Sequence, residues 1–193
     1  MAAFSLPPGS VVLLAGYRQH GKDTFFRHIS GAQSDFVYKV TAGDEVVYFP
    51  QGAYCRVALA DVLKQECADI LGMSVSDIDR RKDEPLEMTY AFKCTTPANS
   101  PPTVRDVLID HAAYCRALDP NHYVRRVCGD LRADCVTVVT DFRYPNEYDF
   151  LLEQGKHVVT AWLRREGAPV PDPSVFSEHQ LDDFHFKIQI QCL

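Results

Sequence analysis

The sequence predicts an α/β fold: a doubly wound parallel sheet flanked by helices, with a short lid and inserted loops. Three observations predict it. Val11–Ala15 and Val136–Thr140 are short, uninterrupted apolar or β-branched runs, the pattern of strands buried on both faces. Segments with helical spacing alternate with these strands along the chain. The Pro-rich stretches are few and short, so they read as insertions rather than linkers. At 193 residues the chain is expected to form one domain over 1–193, large enough to bury a core without a staple.

The elements follow in order. Val11–Ala15 is bounded by Pro7-Pro8-Gly9 and by Gly16, and Thr24–Ile29 opens a helix. Phe36–Val40 and Val46–Phe49 flank Thr41–Glu45 as strand, turn and strand, and Arg56–Leu59 reads as a further strand. Asp61–Leu71 carries Val62, Leu63, Cys67, Ile70 and Leu71 at helical spacing, with Gly72 as its stop. Thr95–Thr103 holds Pro97, Pro101 and Pro102 and reads as a loop. Val104–Leu118 is a helix, and Asp119-Pro120 predicts an N-cap and first helical residue for the next. Core strands are expected near 11–15, 136–140, 157–163 and 186–190. Pro145–Gln154 is a helix closed by Gly155, and Gly167–Pro173 is a Pro-rich loop.

An apolar share of 46% and a charged share of 24% exclude wholesale disorder and a fibrous repeat. The net charge of −6 argues against nucleic acid as a partner but leaves room for a small anionic substrate held by a few local cations. Seven cysteines stand at 55, 67, 94, 115, 128, 135 and 192; the count is odd and no C-x-x-C occurs. They are expected to be reduced thiols without a zinc site. His111, His122, His179 and His185 show no ligand spacing and are expected to be structural. Met1–Ser10 lacks the features of a secretory leader, and no apolar run approaches the ~20 residues of a membrane span. The expected location is cytoplasmic, with no membrane partner.

The chemistry concentrates in two places. Gly16-Tyr17-Arg18-Gln19-His20-Gly21-Lys22-Asp23-Thr24 follows the first buried strand and opens a helix, matching G-x-x-x-x-G-K. Such a loop turns main-chain amides inward at a helix N-terminus, and Lys22 adds a full charge for the β- and γ-phosphates of a bound triphosphate. Asp23 stands where Ser or Thr is usual, with Thr24 next; it can hold magnesium through water or act as a first-turn acid. Arg18 and His20 face either the transferring phosphoryl group or solvent. The second place is Asp141-Phe142-Arg143, at the end of a core strand where ligands of open α/β sheets bind. Asp141 suits magnesium and Arg143 a phosphate oxygen; the alternative is a salt-bridged loop pair.

Taken with Ala58–Lys64 and with Asp141–Glu147, the Gly21-Lys22-Asp23-Thr24 run resembles the deoxynucleoside monophosphate kinases of phages and large viruses. Ser177–Asp182 and the strand after it fit their C-terminal pattern. Animal-type phosphomevalonate kinases are similar too, sharing the Gly-Lys-Asp loop and a segment like Arg105–Pro120. The resemblance implies a P-loop NTPase-like kinase that uses ATP and magnesium to phosphorylate a deoxynucleoside 5′-monophosphate. ATP would lie on Gly16–Thr24, with Lys22, Arg18, Asp141 and Arg143 catalytic and Asp23 and Asp141 serving the metal. Lys64, Arg105, Arg116, Arg143 and Arg164 would bind the acceptor. An acceptor-binding helical region is implied at about 59–131, and a short lid at about 164–178 that begins with Arg164 and Arg165. The resemblance further implies a homodimer. Tyr17, Tyr90 and Tyr114 either stack on a base or sit in the core or at its rim. The alternatives are a phosphomevalonate kinase-like enzyme, a catalytically inactive nucleotide-binding protein and a nucleic-acid end kinase, the last disfavoured by the charge.

Overall fold

A computed structural model describes residues 2–32, 37–86, 101–171, 173 and 178–193. The expectations for Phe36, Tyr90, Cys94, Thr95–Ser100, Ser177 and most of the lid after Pro171 lie outside these residues. The chain forms two compact units, one of Met1–Ala58 with Val127–Leu193, the other of Leu59–Arg126.

The first unit is built on an eight-stranded sheet. Its strands are β1 (Ala2–Ala3), β2 (Val11–Ala15), β3 (Tyr38–Ala42), β4 (Glu45–Tyr48), β5 (Tyr54–Val57), β6 (Val136–Val139), β7 (Val158–Arg165) and β8 (Ile188–Cys192), in spatial order β1-β4-β3-β8-β7-β2-β6-β5. The sheet is mostly parallel: β2 lies parallel to β6 and β7, β5 to β6, β7 to β8 and β1 to β4. Only β3 breaks the pattern, running antiparallel to β4 and β8. Its tight turn at Asp44 follows Gly43, whose φ of 58° suits a residue without a side chain. Every residue of β2 is buried, as its uninterrupted apolar run requires. Val12, Leu14, Val138, Val159, Ala161, Ile188 and Ile190 share a core with Phe25 and Ile29 of helix α1 (Lys22–Ile29).

Several boundaries differ from the sequence reading. The turn expected at Thr41–Glu45 shrinks to Gly43-Asp44, because Thr41 pairs with Val46 and Ala42 with Glu45, so the strands are Tyr38–Ala42 and Glu45–Tyr48. The strand expected at Arg56–Leu59 is Tyr54–Val57, because that register pairs Tyr54–Val57 with Val136–Val139; Leu59 instead opens helix α2 (Leu59–Leu71). The last strand is Ile188–Cys192 rather than Phe186–Ile190, since β3 fixes the pairs Tyr38–Cys192 to Ala42–Ile188 and this register buries Ile188, Ile190 and Cys192. Arg164 and Arg165 do not begin the lid loop. They end β7, paired with Gln191 and Cys192.

The second unit holds α2, α3 (Val75–Arg80) and α4 (Val104–Leu118). Its core is Cys67, Ala68, Leu71, Ile78, Leu86, Val104 and Val107. Thr103 caps α4: its hydroxyl accepts from the Asp106 amide at 3.2 Å, while the Asp106 carboxylate accepts from the Thr103 amide at 2.8 Å. Asp119 is not the N-cap expected. It closes α4, and its Oδ1 accepts from the Asn121 amide at 2.9 Å, so Pro120 lies in a turn and α5 (His122–Cys128) starts two residues later. In the first unit, α6 (Pro145–Glu153) begins on Pro145 and stops at Gly155, whose φ is 69°.

The expectation that every cysteine is a free thiol is corrected at one pair. Cys55 on β5 and Cys135, next to β6, form a disulfide across neighbouring parallel strands, bringing their Cα atoms to 6.3 Å. Cys67, Cys115, Cys128 and Cys192 are free thiols.

Candidate functional site

The loop between β2 and α1 takes its shape from two glycines. Gly16 has φ 142°, and a Cβ there would lie 2.3 Å from the Leu163 carbonyl oxygen, so the residue after β2 must be glycine for β7 to lie this close. Gly21 is the N-cap of α1 at φ 94°. Between them Gln19 also has a left-handed backbone, at φ 66°. Asp23 falls in the first turn of α1, where an acid favours the helix N-terminus.

Lys22 folds back over this loop. Its ammonium donates to the carbonyl of Gly16 and, at 3.0 Å, to that of Tyr17. Burial, then the nearby Arg143 guanidinium, lowers its pKa to about 8, against the opposing pull of Glu178, Asp141 and Asp23. Arg143 follows β6, and its guanidinium is ion-paired with Glu178. The other oxygen of Glu178 accepts from the Arg18 amide at 2.9 Å. Burial raises the affinity of Glu178 for a proton, but Arg143, the Arg18 amide and Lys22 together hold its pKa below the usual value. Arg143 is oriented from behind: buried Glu147 accepts from the Arg143 amide at 3.0 Å and from the Tyr144 amide at 3.2 Å.

The rest of the loop is packed by neighbours. Tyr17 donates to Asp182 at 3.0 Å, and its ring meets Trp162 edge-on. Burial, followed by Asp182, pushes its hydroxyl pKa up. Tyr17 is therefore a packed residue, whereas Tyr114 on α4 is exposed. His20 is buried, which removes the solvent-facing alternative. Its Nδ1 accepts a long bond of 3.4 Å from the Arg165 amide, and its Nε2 has no hydrogen-bond partner among the described residues. The Arg18 side chain is exposed. A cavity of about 280 Å³ opens beside the loop, lined by Gln19 and by Arg165–Pro169.

The structure thus brings Gly16–Lys22, Asp141 and Arg143 to one edge of the sheet unit. Asp23 is turned outward to Arg56, 3.1 Å from its Nε. Arg164 is exposed at the end of β7, within electrostatic reach of Tyr17. The remaining acceptor candidates belong to the helical unit. Lys64 pairs with Asp79 at 3.0 Å and Asp61 at 3.8 Å. Arg105 makes a fork with Asp83, at 2.7 and 3.2 Å. Arg116 lies 4.9 Å over the Tyr123 ring.

Two groupings escaped the sequence reading. Glu178 and Asp182 both grip the loop; their only signal was membership in the C-terminal pattern of the resembling kinases. His111 and His122, expected to be isolated structural residues, converge on Glu66. The described residues include no helix long and apolar enough to cross a membrane. No protein-family model matches the chain, and no curated protein matches it closely enough to count as a relative.

Proposed function

We propose that this protein is a P-loop-type kinase that transfers the γ-phosphoryl group of ATP to a deoxynucleoside 5′-monophosphate. The observation that carries the reading is the internal anion at the loop. The Glu178 carboxylate is held by a main-chain amide of the Gly16–Thr24 turn and by the Arg143 guanidinium, within the field of Lys22. Those three donors are what a phosphoryl oxygen requires, and glycines at both ends of the turn let main-chain amides approach it.

On this reading the polyphosphate displaces Glu178, and Lys22 exchanges the Gly16 and Tyr17 carbonyls for phosphate oxygens. Arg143 then neutralises charge on the transferring group, and Glu147 keeps its backbone in place. Transfer of this kind depends on positioning and charge neutralisation rather than on covalent chemistry by the protein. The carboxylates suited to magnesium are Asp141 and, on leaving Arg56, Asp23; their hard oxygen donors fit that ion. Magnesium, when bound, screens the phosphate oxygens from one another. Lys64, Arg105 and Arg116 are the cations of the helical unit proposed for the acceptor, and Arg164 is proposed for the lid side.

An ADP-release assay over dAMP, dGMP, dCMP, dTMP and mevalonate 5-phosphate tests the proposal. Turnover with at least one nucleotide and none with the mevalonate compound is the expected result. The reverse pattern moves the chain to the phosphomevalonate branch. Tight ATP binding without turnover on any acceptor marks an inactive nucleotide-binding protein, the alternative raised by Asp23 standing where Ser or Thr is usual.

A further inference from the structure

Away from this loop, the helical unit gathers a second set of reactive side chains. Glu66 comes from α2, His111 and Cys115 stand one turn apart on α4, and His122 opens α5. The i, i+4 spacing of His111 and Cys115 puts both on one face of α4. Glu66 divides its carboxylate between two imidazoles: Oε2 lies 3.1 Å from His111 Nε2, and Oε1 lies 2.8 Å from His122 Nε2. His111 Nε2 is also 3.5 Å from the Cys115 sulfur. One donor atom each from Glu66, Cys115 and His122 fall within 4.8 Å of one another. All four groups are largely shielded, with side-chain exposures of 19% for Glu66, 14% for His111 and 28% for His122, and Cys115 is buried.

We propose that Glu66, Cys115 and His122 form a zinc-class metal site that clips α2, α4 and α5 together, with His111 holding the Glu66 carboxylate through its second oxygen. Bonds of about 2.0–2.3 Å to a tetrahedral zinc ion place neighbouring donors roughly 3.3–3.8 Å apart, inside the 4.8 Å within which the donor atoms of Glu66, Cys115 and His122 already lie. One sulfur, one imidazole nitrogen and one carboxylate oxygen suit zinc and its first-row neighbours, whereas magnesium and calcium favour oxygen alone. The alternative is a purely structural knot of two imidazoles hydrogen-bonded to one carboxylate. The thiol distinguishes the two, because sulfur is a weak hydrogen-bond acceptor but a strong zinc ligand. The site is independent of the kinase reading and of its loop.

The test uses the full chain, stripped with chelator and titrated with cobalt(II) and zinc(II). The expected result is one metal per chain, with a cobalt spectrum showing thiolate charge transfer and the intense visible bands of a tetrahedral ion. Zinc-edge X-ray absorption of the parent protein is expected to show one sulfur and three lighter scatterers. Cys115→Ser should abolish the charge-transfer band and weaken zinc binding at least tenfold, and Glu66→Gln should weaken it at least tenfold. Cys192→Ser, in the sheet unit, should change neither. No stoichiometric binding, a first shell without sulfur, or a thiolate band that survives Cys115→Ser would overturn the proposal. The absorption measurement on the parent chain stands even if a variant fails to fold.

Discussion

Glu178 and Arg143 form an ion pair in which the acid is almost shielded, at 8% side-chain exposure, and the guanidinium is 35% exposed. The acid spends its other oxygen on the Arg18 amide. On the proposed function, an incoming phosphate displaces it. Glu178→Gln preserves shape but removes the competing charge, so triphosphate affinity should rise about 3- to 10-fold, or roughly 0.7–1.4 kcal/mol, by calorimetry. Unchanged or weaker binding would mean that Glu178 does not occupy the anion site. The depressed pKa of Glu178 also gives a pH signature. Its stabilising contribution is present above the ordinary Glu value of about 4.3 and fades as pH falls through the lower folded value. The parent should therefore lose more stability on acidification than Glu178→Gln, as read by urea unfolding.

Lys22 titrates at about 8, below its unfolded value. Between that pH and the ordinary Lys value of about 10.4, the unfolded chain holds the extra proton, so this group's contribution to stability rises with pH across that window. A bound phosphate favours the ammonium. At pH 8, nucleotide binding should take up as much as about half a proton, seen as a buffer-dependent enthalpy in calorimetry. Lys22→Ala should lower turnover by at least about 100-fold and remove the proton uptake.

Gly16→Ala should destabilise the sheet unit by about 2 kcal/mol or more, since the new methyl meets the Leu163 carbonyl and the backbone keeps φ 142°. Gly43→Ala, with nothing within 4 Å of the added atom, should cost only about 1 kcal/mol for its left-handed backbone. Urea denaturation of the two variants checks the difference.

The Cys55–Cys135 disulfide closes a loop across a sequence separation of 80. Reduction should remove about 2–4 kcal/mol from the parent. Cys55→Ser should start at the reduced value and show no further response to reductant. Thermal unfolding with and without dithiothreitol separates these outcomes.

Much of the sheet core and the α4 helix was legible because the signals are local. Val11–Ala15 is apolar throughout and is buried throughout. Val104–Leu118 is a helix with the same bounds that its sequence predicts. The loop glycines were legible for the same reason. What escaped depends on partners distant in sequence. The register of β8 is set by Tyr38–Ala42, and only that pairing shows that Cys192, rather than Phe186, belongs to the strand. Glu66 lies 45 residues from His111 and 56 from His122, so no spacing rule links them. Glu178 reaches Arg143 across 35 residues. Helix α3 is only six residues long, too short for its periodicity to stand out.

Strand β8 has neighbours on both sides, β7 in parallel and β3 in reverse. Although Tyr38 and Val40 of this hairpin pack on Phe25 of α1, its backbone pairing to the parallel core runs through β8, a segment synthesised about 140 residues later. While the chain emerges from the ribosome, the open flank of that hairpin must wait without its permanent partner. Folding of this half of the sheet is thus a late event, completed only after Cys192 is free, and nascent chains stalled before Ile188 should be the ones that recruit chaperones.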